Sequence, residues 1–119
     1  MRLAIIGGRD FTDYNRLMLA IEDFFPDSGG VSRISEVVSG AAKGADSLGA
    51  RYARECGLKL TEHLPNWDLY GKRAGFIRNE LIIKDADMVL AFWDGLSKGT
   101  GNSLSIAKRL KKTTLIVYF

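Results

Sequence analysis

Short apolar runs alternate with segments of helical periodicity along this chain of 119 residues. The apolar runs predict strands at residues 3–6, 34–39, 58–64, 87–92 and 114–119, and the third run is polar enough to suggest a sheet edge. Apolar positions spaced three and four residues apart predict helices at 13–25, 45–56, 73–84 and 102–112. We expect turns or irregular chain elsewhere, including 27–30, 65–72 and 94–101.

Strands without polar alternation are typical of parallel sheets that helices cover on both faces. The alternation of strands and helices predicts an α/β fold, a three-layer Rossmann-like doubly wound sheet of about five parallel strands. We expect the common strand order 3-2-1-4-5, which puts strands one and four together where the winding reverses, and ligands bind at the carboxyl ends of strands there. The length predicts a single domain over 1–119.

Glycine is the unusual part of the composition, at 13 residues of 119, above the typical share of about 7%. Nine of the thirteen follow predicted strands at one end of the sheet: Gly7, Gly8, Gly40, Gly44, Gly71, Gly75, Gly95, Gly99 and Gly101. Glycine lets a backbone approach a ligand closely. The distribution therefore predicts a ligand-facing rim.

Two candidate binding segments follow the first and second strands. In Gly7-Gly8-Arg9-Asp10, Arg9 suits a phosphate or carboxylate, although a plain turn with a surface arginine explains it equally well. The second segment places Ser39, Gly40 and Gly44 before a predicted helix that begins near Asp46. Small residues there favour anion binding, and Asp46 either caps the helix or bonds a ligand hydroxyl.

The segments after the third and fourth strands add further candidates. The fourth strand is followed by the ingredients of a phosphate cradle, namely Asp94, Gly95, Ser97, Lys98, Gly99 and Thr100; a flexible loop with a helix cap is the alternative. Trp67 and Tyr70 pack in the core or, beside Arg78 and Asn79, form a ligand wall. His63 is expected to be a strand residue rather than a catalytic base.

Charge and cysteine content limit the function classes. The net charge is +3, and residues 72–119 hold nine basic and four acidic residues, a surplus that suits phosphates or simply a solvated helix face. One cysteine excludes an internal disulfide and fits a reducing, cytoplasmic location. The apolar runs are too short to span a membrane, and we expect no metal site and no cofactor.

Five groups of residues together resemble the YspA/YpsA-related SLOG family. They are Gly7–Phe11, Ser39–Gly40 with Gly44–Asp46, Trp67 with Tyr70–Lys72, Ala74–Gly75 with Ile77–Asn79, and Ala91–Gly95 with Ser97–Thr100. The resemblance covers nearly the whole chain and extends to a superfamily that includes DprA and the LOG-type phosphoribohydrolases. It implies a bacterial or phage Rossmann-like protein, a homo-oligomer, with a nucleotide or nucleotide-derived ligand at the carboxyl ends of the strands.

LOG enzymes carry an Arg-Lys pair and a later Pro-Gly-Gly-x-Gly-Thr-x-x-Glu motif. Here Arg78 matches the arginine, Asn79 replaces the lysine, and Gly99-Thr100 match the Gly-Thr. Ser103 stands at the position of the catalytic glutamate, and the carboxylate that glycosidic cleavage requires is missing there. Other segments supply carboxylates at Asp10, Asp46 and Asp94.

Three functions follow from this pattern. A module that senses or sequesters a nucleotide-like ligand is favoured, because the phosphate-binding part of the pattern is present and the catalytic glutamate is not. A nucleotide-processing enzyme, such as an N-glycosidase, is the second hypothesis, and whether the protein is an enzyme stays open. DprA-like binding of nucleic acid is the third.

Overall fold

The computed structural model of the chain describes residues 1–25 and 33–119. The turn expected at 27–30, with Gly29 and Gly30, lies outside the described residues. The described strands are β1 (Arg2–Gly7), β2 (Glu36–Ser39), β3 (Lys59–Glu62), β4 (Met88–Trp93) and β5 (Thr113–Tyr118). The described helices are α1 (Tyr14–Phe24), α2 (Ala45–Glu55), α3 (Trp67–Tyr70), α4 (Ala74–Asp85) and α5 (Lys98–Arg109), with a 3₁₀ turn at Gly71–Arg73.

The five strands form one parallel sheet in the order β3-β2-β1-β4-β5. Leu3 of β1 pairs with Val37 on one side and with Met88 on the other. The predicted α/β Rossmann-like fold and its strand order are therefore confirmed. β1 and β4 are neighbours at the centre, where the winding reverses, and β3 and β5 are the edges.

Each face of the sheet is covered by its own layer of helices, which explains why β1 is apolar throughout. Leu3 and Ile5 belong to the same buried cluster as Leu17 of α1. Ala4 and Ile6 point to the other face and share a cluster with Ile83 of α4. Successive strand residues face opposite sides, so a strand buried on both faces has no polar alternation.

Two segments differ from the sequence prediction. α5 begins at Lys98 rather than at residue 102, so the second half of the expected glycine-rich loop is the first turn of a helix. Glycine has low helix propensity, so Gly99 and Gly101 favoured a loop in the prediction. The helix forms there because Thr100, which is 6% exposed, packs against the rest of the protein. The stretch expected to be irregular at 65–72 contains α3, because the Asn66 side chain accepts a hydrogen bond from the Leu69 amide at 3.1 Å and caps it.

The apolar residues of α4 divide between two sides of the helix. Ile82 and Ile83 are buried, whereas Phe76 is 54% and Leu81 46% exposed in the chain alone. This division agrees with the wide spread of apolar positions around the helix. The homo-oligomer that the family resemblance implies stays a prediction. Within the described residues, no helix is long and apolar enough to cross a membrane.

Candidate functional site

A cavity of about 450 Å³ opens at the carboxyl ends of β1 and β4, a volume within the usual range of small-molecule sites. It lies at the point where the winding of the sheet reverses, where open α/β folds bind ligands. Its lining comprises Ile6, Gly7, Gly8, Arg9, Asp10, Ala42, Asp46, Arg78, Asn79, Ile82, Asp94, Ser97, Gly99, Thr100, Ser103 and Phe119.

The floor of the cavity is built where the chain segments after β1 and β2 cross. The Ala45 amide donates to the Gly8 carbonyl at 3.2 Å. A Cβ atom on Gly44 would lie 2.2 Å from that same oxygen, and Gly44 has a φ of +77°. A Cβ atom on Gly7 would lie 2.3 Å from the Phe92 carbonyl oxygen. Gly7 and Gly44 are therefore required by backbone–backbone contact, in addition to any contact with a ligand.

Asp46 lies in the first turn of α2 and is 6% exposed, with its carboxyl group lining the cavity. Its Oδ2 accepts a hydrogen bond from the Ala42 amide at 3.3 Å. Burial raises the pKa of Asp46 to about 6, against the lowering effects of the Ala42 hydrogen bond and the Arg78 charge. This carboxyl group both holds the loop after β2 and exchanges its proton near neutral pH.

Arg78 of α4 connects the two sides of the cavity. Its Nη1 donates to the Gly40 carbonyl at 2.9 Å, and its Nε donates to Asn79 Oδ1 at 3.0 Å. The Asn79 amide in turn donates to Asn102 Oδ1 at 3.3 Å. Burial lowers the pKa of the Arg78 guanidinium; the nearby carboxylate of Asp46 raises it and the charge of Arg9 lowers it. Two guanidinium groups therefore share one cavity.

The opposite wall is the N-terminal end of α5. Asp94 Oδ1 accepts hydrogen bonds from the Leu96 and Ser97 amides, both at 2.8 Å, and these bonds lower the pKa of Asp94. Thr100 and Ser103 follow on the inner face of the helix and are buried. Ser103 lines the cavity, so the position that the family resemblance pairs with the catalytic glutamate faces the cavity and carries a hydroxyl.

Most of the candidate residues from the sequence come together around this cavity. Those that line it are Gly7, Gly8, Arg9, Asp10, Asp46, Arg78, Asn79, Asp94, Ser97, Gly99 and Thr100. Three others belong to the segment at the end of β2. Ser39 is fully buried and accepts a hydrogen bond from the Ala41 amide at 3.3 Å, the Gly40 carbonyl accepts from Arg78, and Gly44 lies against the Gly8 carbonyl. Gly95 and Lys98 are exposed and lie outside the lining.

Trp67 and Tyr70 lie apart from the cavity, on the segment that follows the edge strand β3. They are 56% and 45% exposed, and Trp67 lines a separate, shallower depression with Leu64 and Pro65. The structure therefore places them neither in the core nor on the cavity wall. His63 also lies outside the cavity, with Nε2 2.5 Å from Asp85 Oδ2.

Five lining residues were not among the candidate binding residues from the sequence: Ile6, Ala42, Ile82, Ser103 and Phe119. Phe119 is the most informative, because it adds an aromatic side chain to a cavity otherwise lined by small, polar and aliphatic groups. It follows β5, which is distant in sequence from the glycine-rich segments. The available signal was its position at the carboxyl end of the predicted strand 114–119, which the expected strand order places next to the fourth strand.

The fold and this cavity define a Rossmann-like α/β domain with a ligand-sized site at the carboxyl ends of its central strands. The chain belongs to the YspA, cpYpsA-related SLOG family, whose model matches residues 1–70. This family is one of nucleotide-related Rossmann-like domains. The Gene 61 protein of Mycobacterium phage D29 is 39% identical over 79 residues, covering 61% of this chain and 63% of that protein. No solved structure gives a significant match.

Proposed function

We propose that the protein binds a nucleotide or nucleotide-derived anion in the cavity and serves as a sensor or sequestering module. The observation that carries this proposal is that Arg9 and Arg78 both line this cavity. Burial lowers the pKa of Arg78 and the charge of Arg9 lowers it further, so the two cations lie close enough to repel each other. An anion between them relieves that repulsion and accepts charge-assisted hydrogen bonds from both.

The wall formed by α5 supports the same ligand chemistry. Backbone N–H groups in the first turn of a helix attract anions, and Gly99 and Thr100 in the first turn of α5 line the cavity. Family membership supports a ligand derived from a nucleotide. The cavity is about 450 Å³, so it suits a small molecule rather than a polymer strand.

Binding is tested by titrating the purified protein with ribonucleoside mono-, di- and triphosphates, ribose 5-phosphate and ADP-ribose, followed by melting temperature and calorimetry. A true ligand at one hundred times its Kd stabilises the fold by about 2.7 kcal/mol. Mass spectrometry of molecules released from the denatured protein identifies any ligand that co-purifies. If no compound in the series raises the melting temperature or gives a binding isotherm, the proposal is wrong.

A second candidate is an enzyme that cleaves the glycosidic bond of a nucleotide. The observation that favours it is the Asp46 carboxyl group, which lines the cavity with a pKa raised to about 6. A carboxyl group of that pKa suits general acid–base chemistry near neutral pH. Incubation with nucleoside monophosphates at equimolar enzyme, followed by chromatography for free base, tests this reaction. Base release that Asp46→Asn abolishes supports the enzyme, and absence of release supports binding alone.

A further inference from the structure

One lining residue of the cavity is aromatic, and its ring offers a phosphate neither a charge nor a hydrogen-bond donor. Phe119 lines the cavity and is 39% exposed. Its ring tip lies over Gly8, where an added Cβ atom would come within 2.8 Å of Phe119 Cζ. The absence of a side chain at Gly8 therefore allows the Phe119 ring to lie directly against the backbone of the cavity floor.

The position of this ring is fixed from below. Phe119 contacts Phe11 with ring centroids 5.1 Å apart, and Phe11 stacks on the buried ring of Phe92 at 4.4 Å. The Phe119 amide also donates to the Trp93 carbonyl at 3.1 Å, which continues the pairing of β5 with β4. An aromatic side chain held in place before binding loses little entropy when a ligand stacks on it.

We propose that Phe119 is a specificity-determining residue, on which the base of the bound nucleotide stacks while Arg9 and Arg78 bind its phosphate. This inference rests on the proposed function. Every nucleobase has a π face that stacks on an aromatic ring, and such a contact strengthens binding about 5-fold or more. A sugar phosphate gains nothing from the ring. Phe119 therefore distinguishes a nucleotide from the sugar phosphate it contains.

The test measures the Kd of the four ribonucleoside 5′-monophosphates and of ribose 5-phosphate for the parent protein and three variants. Phe119→Leu keeps apolar bulk without a ring, Phe119→Trp keeps a ring, and Tyr118→Ala removes the neighbouring aromatic side chain, which lies outside the cavity lining. Melting temperatures confirm that each variant is folded.

We expect the parent to bind its best nucleotide at least 5-fold more tightly than ribose 5-phosphate. Phe119→Leu weakens that nucleotide about 5-fold or more, from the 1 kcal/mol lower bound for stacking, and changes ribose 5-phosphate less than 2-fold. Phe119→Trp and Tyr118→Ala retain the preference. Equal effects of Phe119→Leu on both ligands, or no effect, overturn the inference and leave the proposed function intact. If neither class of ligand binds the parent, both proposals fail.

Discussion

The cavity at the end of β1 and β4 and the segment after β3 are built from similar residue types but end in different environments. Both contain glycine, cations and polar side chains, and Trp67 and Tyr70 made the second segment resemble a ligand wall. In the structure, Arg9 and Arg78 line the same cavity, whereas Trp67 and Tyr70 remain exposed.

The difference follows from the position of each strand in the sheet. β1 and β4 are central neighbours with connections that leave in opposite directions, and this arrangement opens a crevice between the loops. β3 is an edge strand, so the segment that follows it has a neighbouring strand on one side only. The residue types of a segment can suggest a binding site, but whether a cavity forms there depends on the position of the preceding strand in the sheet.

The largest expected effect is from Gly44→Ala, which tests the backbone crossing beneath the cavity. The new Cβ atom would lie 2.2 Å from the Gly8 oxygen at a φ of +77°, and the combined steric and conformational cost is about 3 kcal/mol. Gly57→Ala is the matched control, since Gly57 has a φ of +66° with open space around it, and costs about 1 kcal/mol. Urea denaturation measures both. Equal losses would show that the crossing is not a tight contact.

Asp46→Asn tests whether the buried carboxyl group destabilises the ligand-free protein. The pKa of Asp46 is raised from 3.8 to about 6, so the folded protein favours the protonated form of this carboxyl group. The contribution of the protonated group to the free energy of unfolding is full below about pH 4 and is lost as pH rises through about 6. Two pKa units correspond to about 3 kcal/mol. We expect the variant to be more stable than the parent by up to that amount at pH 7.5, and by much less at pH 4.

Asp68→Asn is the control for this change, because Asp68 is exposed on the segment after β3. We expect its stability difference from the parent to be small at both pH values. Thermal and urea unfolding at pH 4, 6 and 7.5 give the comparison. A pH-independent difference for Asp46→Asn would contradict the raised pKa.

Arg78→Lys tests whether the planar guanidinium matters for the ligand. Lysine keeps the charge but lacks the paired donors that reach Gly40 and an anion together. We expect nucleotide affinity to fall about 10-fold, since a hydrogen bond to a charged group contributes about 1.5 kcal/mol or more. Arg73→Lys is the control, since Arg73 is exposed and lies just after the segment that follows β3; we expect it to change the affinity less than 2-fold. Calorimetric titration decides, and equal effects of the two substitutions argue against a role of Arg78 in binding.

Trp67→Ala is expected to have the smallest effect. Trp67 is 56% exposed and outside the cavity lining, so its loss changes stability by about 0.5 kcal/mol or less and leaves nucleotide affinity unchanged. Equilibrium unfolding and the titration used for Arg78→Lys measure both quantities. A marked loss of affinity would show that Trp67 takes part in ligand binding and would contradict the contrast between the cavity and the segment after β3.

Most strands and helices could be predicted from the hydrophobic pattern, and their expected order in the sheet was the common one for such a chain. β1 and β4 are apolar on both faces, and such strands alternating with amphipathic helices are compatible with few topologies. The same logic located Gly7–Asp10 and Asp94 at one end of the sheet, because carboxyl ends of parallel strands share an edge. The predicted start of α5 was wrong, because the low helix propensity of Gly99 and Gly101 favoured a loop and the packing of Thr100 could not be foreseen.

The set of residues that share a cavity could not be predicted from the pattern, because it depends on how the chain folds. Gly44 contacts Gly8 and Phe119 lies over Gly8, although these residues are far apart in sequence. Trp67 and Tyr70, by contrast, follow the edge strand β3 and lie outside the cavity lining. Periodicity reports which side of a strand or helix is buried, whereas distances between loops depend on strand neighbours and crossing backbones. These are properties of the folded chain, and no local pattern encodes them.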